Sequence, residues 1–148
     1  MCCAAQLEAV RWNGIMNYAR EYETKRRNFI EQATLLFSFL CDEFGYSGPV
    51  HSFYQQPNGV VIADYLQYDN DEIDRRIVLE NAYHPVDYGF ELQFFRPSIS
   101  TRHADRFMAH YVLKEVQDID QSYLVEAAAL AKDKYRKVIE GQEWPHSI

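Results

Sequence analysis

Between positions 24 and 44 the apolar residues recur every three or four places. Phe29, Ala33, Leu36, Phe37, Leu40 and Phe44 form one stripe, the signature of a helix with a single buried face. Thr24 is placed to cap its start. Gly45 stands where the chain needs a left-handed residue to leave it, and Gly48-Pro49 forbids continuation. From position 51 the period changes to two. A short run at His51–Gln55 meets Pro57-Asn58-Gly59, a hairpin signal, and Val60–Tyr68 follows, rich in β-branched and aromatic residues. The polar stretch Asp69-Asn70-Asp71-Glu72 reads as the next turn. Ile73–Tyr83 then sets Arg75, Ile77 and Leu79 on one face against Asp74, Arg76, Val78 and Glu80 on the other. After His84-Pro85, Phe90, Leu92 and Phe94 alternate with Glu91, Gln93 and Phe95, and Arg96-Pro97-Ser98 ends the sheet.

Beyond the sheet, Phe107, Tyr111, Leu113 and Val116 have helical spacing, which predicts a helix over 103–117. A last helix, capped by Asp120 or Ser122, runs to Glu140 through Leu124, Ala127, Ala128, Ala131 and Val138, with Gly141 as its stop. The predicted fold is α+β: a four-stranded antiparallel β-meander packed against an N-terminal helix and two C-terminal helices. Residues 1–15, with the turn-like Asn13-Gly14, read as a leader or extension. Met16 is an alternative start, although Trp12 argues for a packed segment. Residues 16–148 read as one domain.

Composition sharpens this picture in two ways. The 148 residues include 11 Tyr and 9 Phe, so the sheet presents aromatic area whether as a binding face or as an ordinary half-wet surface. The net charge is −7, and residues 49–98 carry 3 basic and 8 acidic side chains, so the predicted sheet is the acidic part. Such a field repels nucleic acid and attracts basic partners. Cys2, Cys3 and Cys41 do not make a disulfide framework, and Cys41 reads as a small core residue with a protonated thiol. With no secretory signal and no apolar run of spanning length, a cytoplasmic location is expected.

Candidate chemistry is sparse. Asp69, Asp71 and Glu80 have part of a calcium-loop spacing, but Ile73 and Asp74 occupy the positions that need an oxygen ligand and a glycine. His103 and His110, seven apart on the expected helix, are about 10 Å from one another, too far to share a metal ion. With Arg102 and Arg106 they would at most make a small anion-binding face. His51, His84 and His146 are scattered. No nucleophile elbow, phosphate loop or zinc-protease motif is present. The carboxylates of the sheet are numerous, but a general acid also needs a pocket that raises its pKa. Lys25-Arg26-Arg27 reads as a solvated helix face. No catalytic residue, metal site or cofactor is expected. The candidate partner-binding residues are Asp69, Asp71, Glu72 and Asp74 at the acidic turn, with Tyr65 and Tyr68 beside them.

The helix end Phe39-Leu40-Cys41-Asp42-Glu43-Phe44-Gly45-Tyr46, followed by Val60-Val61-Ile62-Ala63-Asp64-Tyr65 and Arg75-Arg76-Ile77-Val78-Leu79-Glu80, resembles small cytoplasmic immunity proteins of bacterial polymorphic and contact-dependent toxin systems. The resemblance spans Phe29 to Pro97. It implies a non-enzymatic protein that sequesters one toxin, commonly by setting an acidic face against a basic nuclease. Two other readings stand beside it. One is an assembly subunit that self-associates through its Ala-rich last helix or an edge strand. The other is a small-ligand binder, or an unrecognised enzyme, with a cleft between sheet and helices.

Overall fold

The computed structural model describes residues 20–83, 88–99 and 106–145. The first helix, α1, occupies 20–36 of these. It is already helical at 20, so Thr24 lies inside it and is not its cap. A tight turn at 37–38 separates it from the short α2, Phe39–Asp42. There the Ser38 amide bonds to the Leu35 carbonyl, three residues back, at 3.4 Å. This break replaces the single helix expected to Phe44. It lets Phe37 and Leu40 stay fully buried while Phe39 and Phe44 also pack against the core. Phe29 and Ala33 complete the expected stripe, both fully buried. Gly45 takes φ +75° and turns the chain towards the sheet.

Among the described residues the sheet has five strands, not four, in the order β1-β2-β3-β4-β5 with every pair antiparallel. They are β1 Ser47–Gln55, β2 Val61–Asn70, β3 Arg75–Tyr83, β4 Tyr88–Phe95 and β5 Arg106–Leu113. β1 begins earlier than expected because Pro49 sits on an edge strand, where a missing N–H is tolerated. Between β2 and β3 the turn is a 3-10 stretch, Asp71–Ile73, followed by Asp74 in the left-handed region at φ 55°. β3 therefore starts at Arg75 instead of Ile73.

The largest correction is β5, which stands where a helix was expected. In the register with β4, Leu92 faces His110 and Gln93 faces Met108, so Ala109 is the extra residue of a bulge. One inserted residue shifts the alternation by one. Phe107, Ala109 and Val112, which pack against the core, are then spaced two and three apart, a rhythm that strict alternation does not give. The helix expected at 103–117 is absent among the described residues. Only a 3-10 turn, Lys114–Val116, follows the strand.

The last helical segment divides at Tyr135 into α3, Tyr123–Lys134, and α4, Arg136–Ile139. Its buried positions are the expected ones: Leu124, Ala127, Ala128, Ala131 and Val138. The start is held by Asp118, whose carboxylate accepts from the Ser122 amide at 2.7 Å and the Ser122 hydroxyl at 2.6 Å. That role had been expected of Asp120 or Ser122.

Parity decides where the core lies. Leu66, Tyr68, Ile77, Leu79, Phe90, Leu92 and Phe94 share one face of the sheet. They form a continuous buried cluster with Phe29, Phe37, Leu40, Leu124, Val138 and Ile139 from the helices. All four helices bury side chains in this one cluster, and among the described residues none covers the opposite face. No helix of the described residues is long and apolar enough to cross a membrane.

Candidate functional site

Two polar constellations stand out, one on each face of the sheet. On the helix side, Asp64 occupies a core position of β2 and is fully buried. Its carboxylate accepts from Arg26 Nε at 2.9 Å and Nη2 at 3.0 Å, from His51 Nε2 at 2.9 Å and from the Tyr83 hydroxyl at 2.9 Å. Burial alone would raise its pKa. The Arg26, His51 and Tyr83 hydrogen bonds outweigh that and hold the carboxyl below the ordinary aspartate range. With four donors its lone pairs are filled. The cluster clasps α1 to three strands and leaves no acceptor for a substrate. Arg26 thus departs from the solvated reading of Lys25-Arg26-Arg27.

Beside it, fully buried Asn81 donates to Gln121 Oε1 at 3.1 Å and accepts from Gln117 Nε2 at 3.1 Å. The Tyr123 hydroxyl donates to the same Gln121 oxygen at 2.7 Å. These bonds satisfy the buried Asn81 side chain and tie β3 to the loop before α3.

The uncovered face is built from cross-strand rows. The central row is Ser52, Tyr65, Glu80, Glu91 and Tyr111, each directly opposite the next. On one side lies Val50, Gln67, Val78, Gln93 and Met108. On the other lies Tyr54, Ala63, Ala82, Gly89 and Leu113. Glu80 and Glu91 therefore form a carboxylate pair in mid-sheet, flanked by tyrosines and bordered by a low row of alanine and glycine. Gln93 Nε2 donates to Glu80 Oε2 at 2.9 Å and also to Glu91. Arg106 Nη2 donates to Glu91 Oε2 at 2.9 Å. Half-burial, then the like charge of Glu91, raises the pKa of Glu80. Tyr65 donates its hydroxyl to Glu80, and burial followed by that carboxylate raises its own pKa. Around this centre Val50, Tyr54, Met108, Tyr111 and Leu113 are exposed.

Of the expected site residues, the structure places only Tyr65 in this cluster. Tyr68 points the other way: it is fully buried in the core, which removes it from any partner surface. Its hydroxyl has no hydrogen-bond partner among the described residues. The acidic turn is divided. Asp69 is held by Arg76 Nε at 2.7 Å and Gln67 Nε2 at 2.9 Å. Asp74 accepts the Ser98 amide at 2.8 Å and the Ser98 hydroxyl, which keeps its pKa low. Asp71 and Glu72 alone stay exposed at the tip. The carboxylates of the turn do not converge on one point.

Glu80 and Glu91 carried a signal in the sequence, since both fall on the wet parity of their strands. What was missing is the register that sets them opposite one another. Asp64 carried one too, as a charge on the parity of Leu66 and Tyr68. His110 lies on β5, so its pairing with His103 on one helix face does not hold. Arg102, His103, His84, His146, Cys2, Cys3, Trp12 and Met16 lie outside the described residues. Cys41 is half-buried beside the core. Burial, then Asp42, raises its pKa, and its thiol donates to the Gly48 carbonyl at 3.4 Å.

Compared with family models, curated proteins and solved structures, the chain matches none.

Proposed function

We propose that this chain is a non-enzymatic protein-binding domain of immunity type, and that the uncovered sheet face holds a basic partner, as a toxin would be held. The observation that carries this reading is the central row, in which Glu80 and Glu91 lie half-buried between Tyr65 and Tyr111. Arg106 balances Glu91, and Glu80 is left with hydrogen bonds but no cation of its own among the ion pairs of the described residues. A lysine or arginine from a partner supplies that missing charge. Its aliphatic stem fits along the low row of Ala63, Ala82 and Gly89. Tyrosine and methionine, which surround this charged centre, are enriched at interfaces, and tyrosine is a frequent anchor of binding energy when covered. The chain's net charge of −7 speeds the approach of a basic partner. Asp71 and Glu72 then serve at the rim, where charges alter encounter rates more than residence.

Capture from the native host with the wild-type chain as bait, followed by kinetics on the captured protein, tests the reading. Tyr111→Ala should speed dissociation, and Glu80→Gln should weaken binding about tenfold or more. Asp71→Lys should change only the salt-dependent association rate. A captured partner whose binding is untouched by Tyr111→Ala and Glu80→Gln uses another surface, and the reading fails.

A further inference from the structure

We infer that β1 is a self-pairing edge: two copies of the chain join antiparallel through Val50–Tyr54, fusing the two sheets into one continuous sheet. β1 and β5 are the two edges of the sheet. β5 is guarded by its bulge at Ala109 and by Arg106. β1 has no Asp, Glu, Lys or Arg anywhere in Ser47–Gln55. Pro49 protects only its beginning, and from Val50 to Tyr54 the register with β2 runs without a break. Along this stretch Val50 is 62% exposed, Tyr54 56% and Phe53 51%. Between its register shifts at Ser47/Val50 and Tyr54/Gln55, an unbroken edge with exposed large side chains is a template for another strand.

Its chemistry favours a second copy over a basic partner, because β1 offers a cation nothing. A twofold axis perpendicular to the sheet keeps the helices of both copies on one side. It also requires facing residues to share parity. Centred on Ser52, it sets Val50 of one copy against Tyr54 of the other, His51 against Phe53, and Ser52 against Ser52. These are aliphatic–aromatic, aromatic–aromatic and hydroxyl pairs, all of them favourable across strands. The flank of α1 that overhangs the edge does not oppose the arrangement. Its shallow groove of about 240 Å³ is lined by Glu23, Arg26, Arg27, Ile30 and Glu31, two acids and two bases, with the Arg26 guanidinium 5.9 Å over the Phe53 ring. Two chains of net charge −7 thus meet along strands that carry no Asp, Glu, Lys or Arg.

The test is the mass of the full chain in solution across a wide concentration range. It should rise from 17.4 kDa towards twice that value. Amide exchange at 50–54 should slow in parallel. The double substitution Val50→Lys with Tyr54→Lys sets like charges opposite one another and should hold the mass at 17.4 kDa, with unchanged circular dichroism. Val50→Glu with Tyr54→Glu should behave the same, and an equimolar mixture of the two double variants should dimerise. A wild-type chain that stays at 17.4 kDa throughout overturns the inference. So does a double-lysine variant that dimerises like the wild type, or a mixture that fails to pair while each variant remains folded.

Discussion

Arg26 meets the fully buried carboxylate of Asp64 with two donors, Nε at 2.9 Å and Nη2 at 3.0 Å, across 38 residues of sequence. Removing one partner of such a pair leaves a charge without compensation in the interior. Arg26→Met should therefore cost about 3–5 kcal/mol of unfolding free energy in urea at neutral pH. Because the folded-state pKa of Asp64 is lowered, its contribution is present above the unfolded value near 3.8 and is lost as pH falls through the folded value. The gap between wild type and Asp64→Asn should accordingly narrow below pH 3.8.

Glu80 has the opposite sign. Its folded pKa lies above 4.5, so between those two values the folded state binds more protons than the unfolded state. Stability from this group is complete below pH 4.5 and falls as pH rises through the raised value. Glu80→Gln should stabilise the chain at neutral pH and leave it unchanged below pH 4.5, which thermal unfolding across a pH series will read. Equal effects at both ends of the series would refute the shared burden placed on Glu80 and Glu91.

Arg75 anchors the C-terminal segment without a carboxylate. Its Nε donates to the Val138 carbonyl at 2.9 Å and its Nη2 to the Glu143 carbonyl at 2.9 Å, while its guanidinium lies 5.1 Å from the Trp144 ring. Arg75→Met strands both carbonyls and should cost on the order of 3 kcal/mol. Hydrogen exchange should show α4 and residues 140–144 opening first.

Gly89, second residue of β4, adopts φ +128°, and a Cβ there would press into the Val112 carbonyl of β5. Gly89→Ala should destabilise the protein by about 1–3 kcal/mol through strain. The amides of β5 should lose protection before those of β2 and β3.

The meander was legible where two conditions held: strict alternation and clear turn residues. β3 shows this best. Arg75, Ile77 and Leu79 were placed on one face by rhythm alone, and all three are buried. β5 was not legible because the bulge at Ala109 breaks that rhythm, and an interrupted two-residue period cannot be told from a helical one over eight residues. The candidate site was half legible. Sequence order drew attention to the dense acids of 69–74, whereas Arg76 and Ser98 occupy Asp69 and Asp74. The opposition of Glu80 and Glu91 depends on strand register, which no local run of residues encodes.

Every described helix packs on the same side of the sheet, so the molecule's thermodynamic foundations and its exterior are built from alternate letters of the same strands. Along β3, changing Ile77 or Leu79 disrupts the core, whereas changing Val78 or Glu80 leaves that packing in place and alters the opposite face. Such a division lets one face be rewritten while the packing beneath it stays in place.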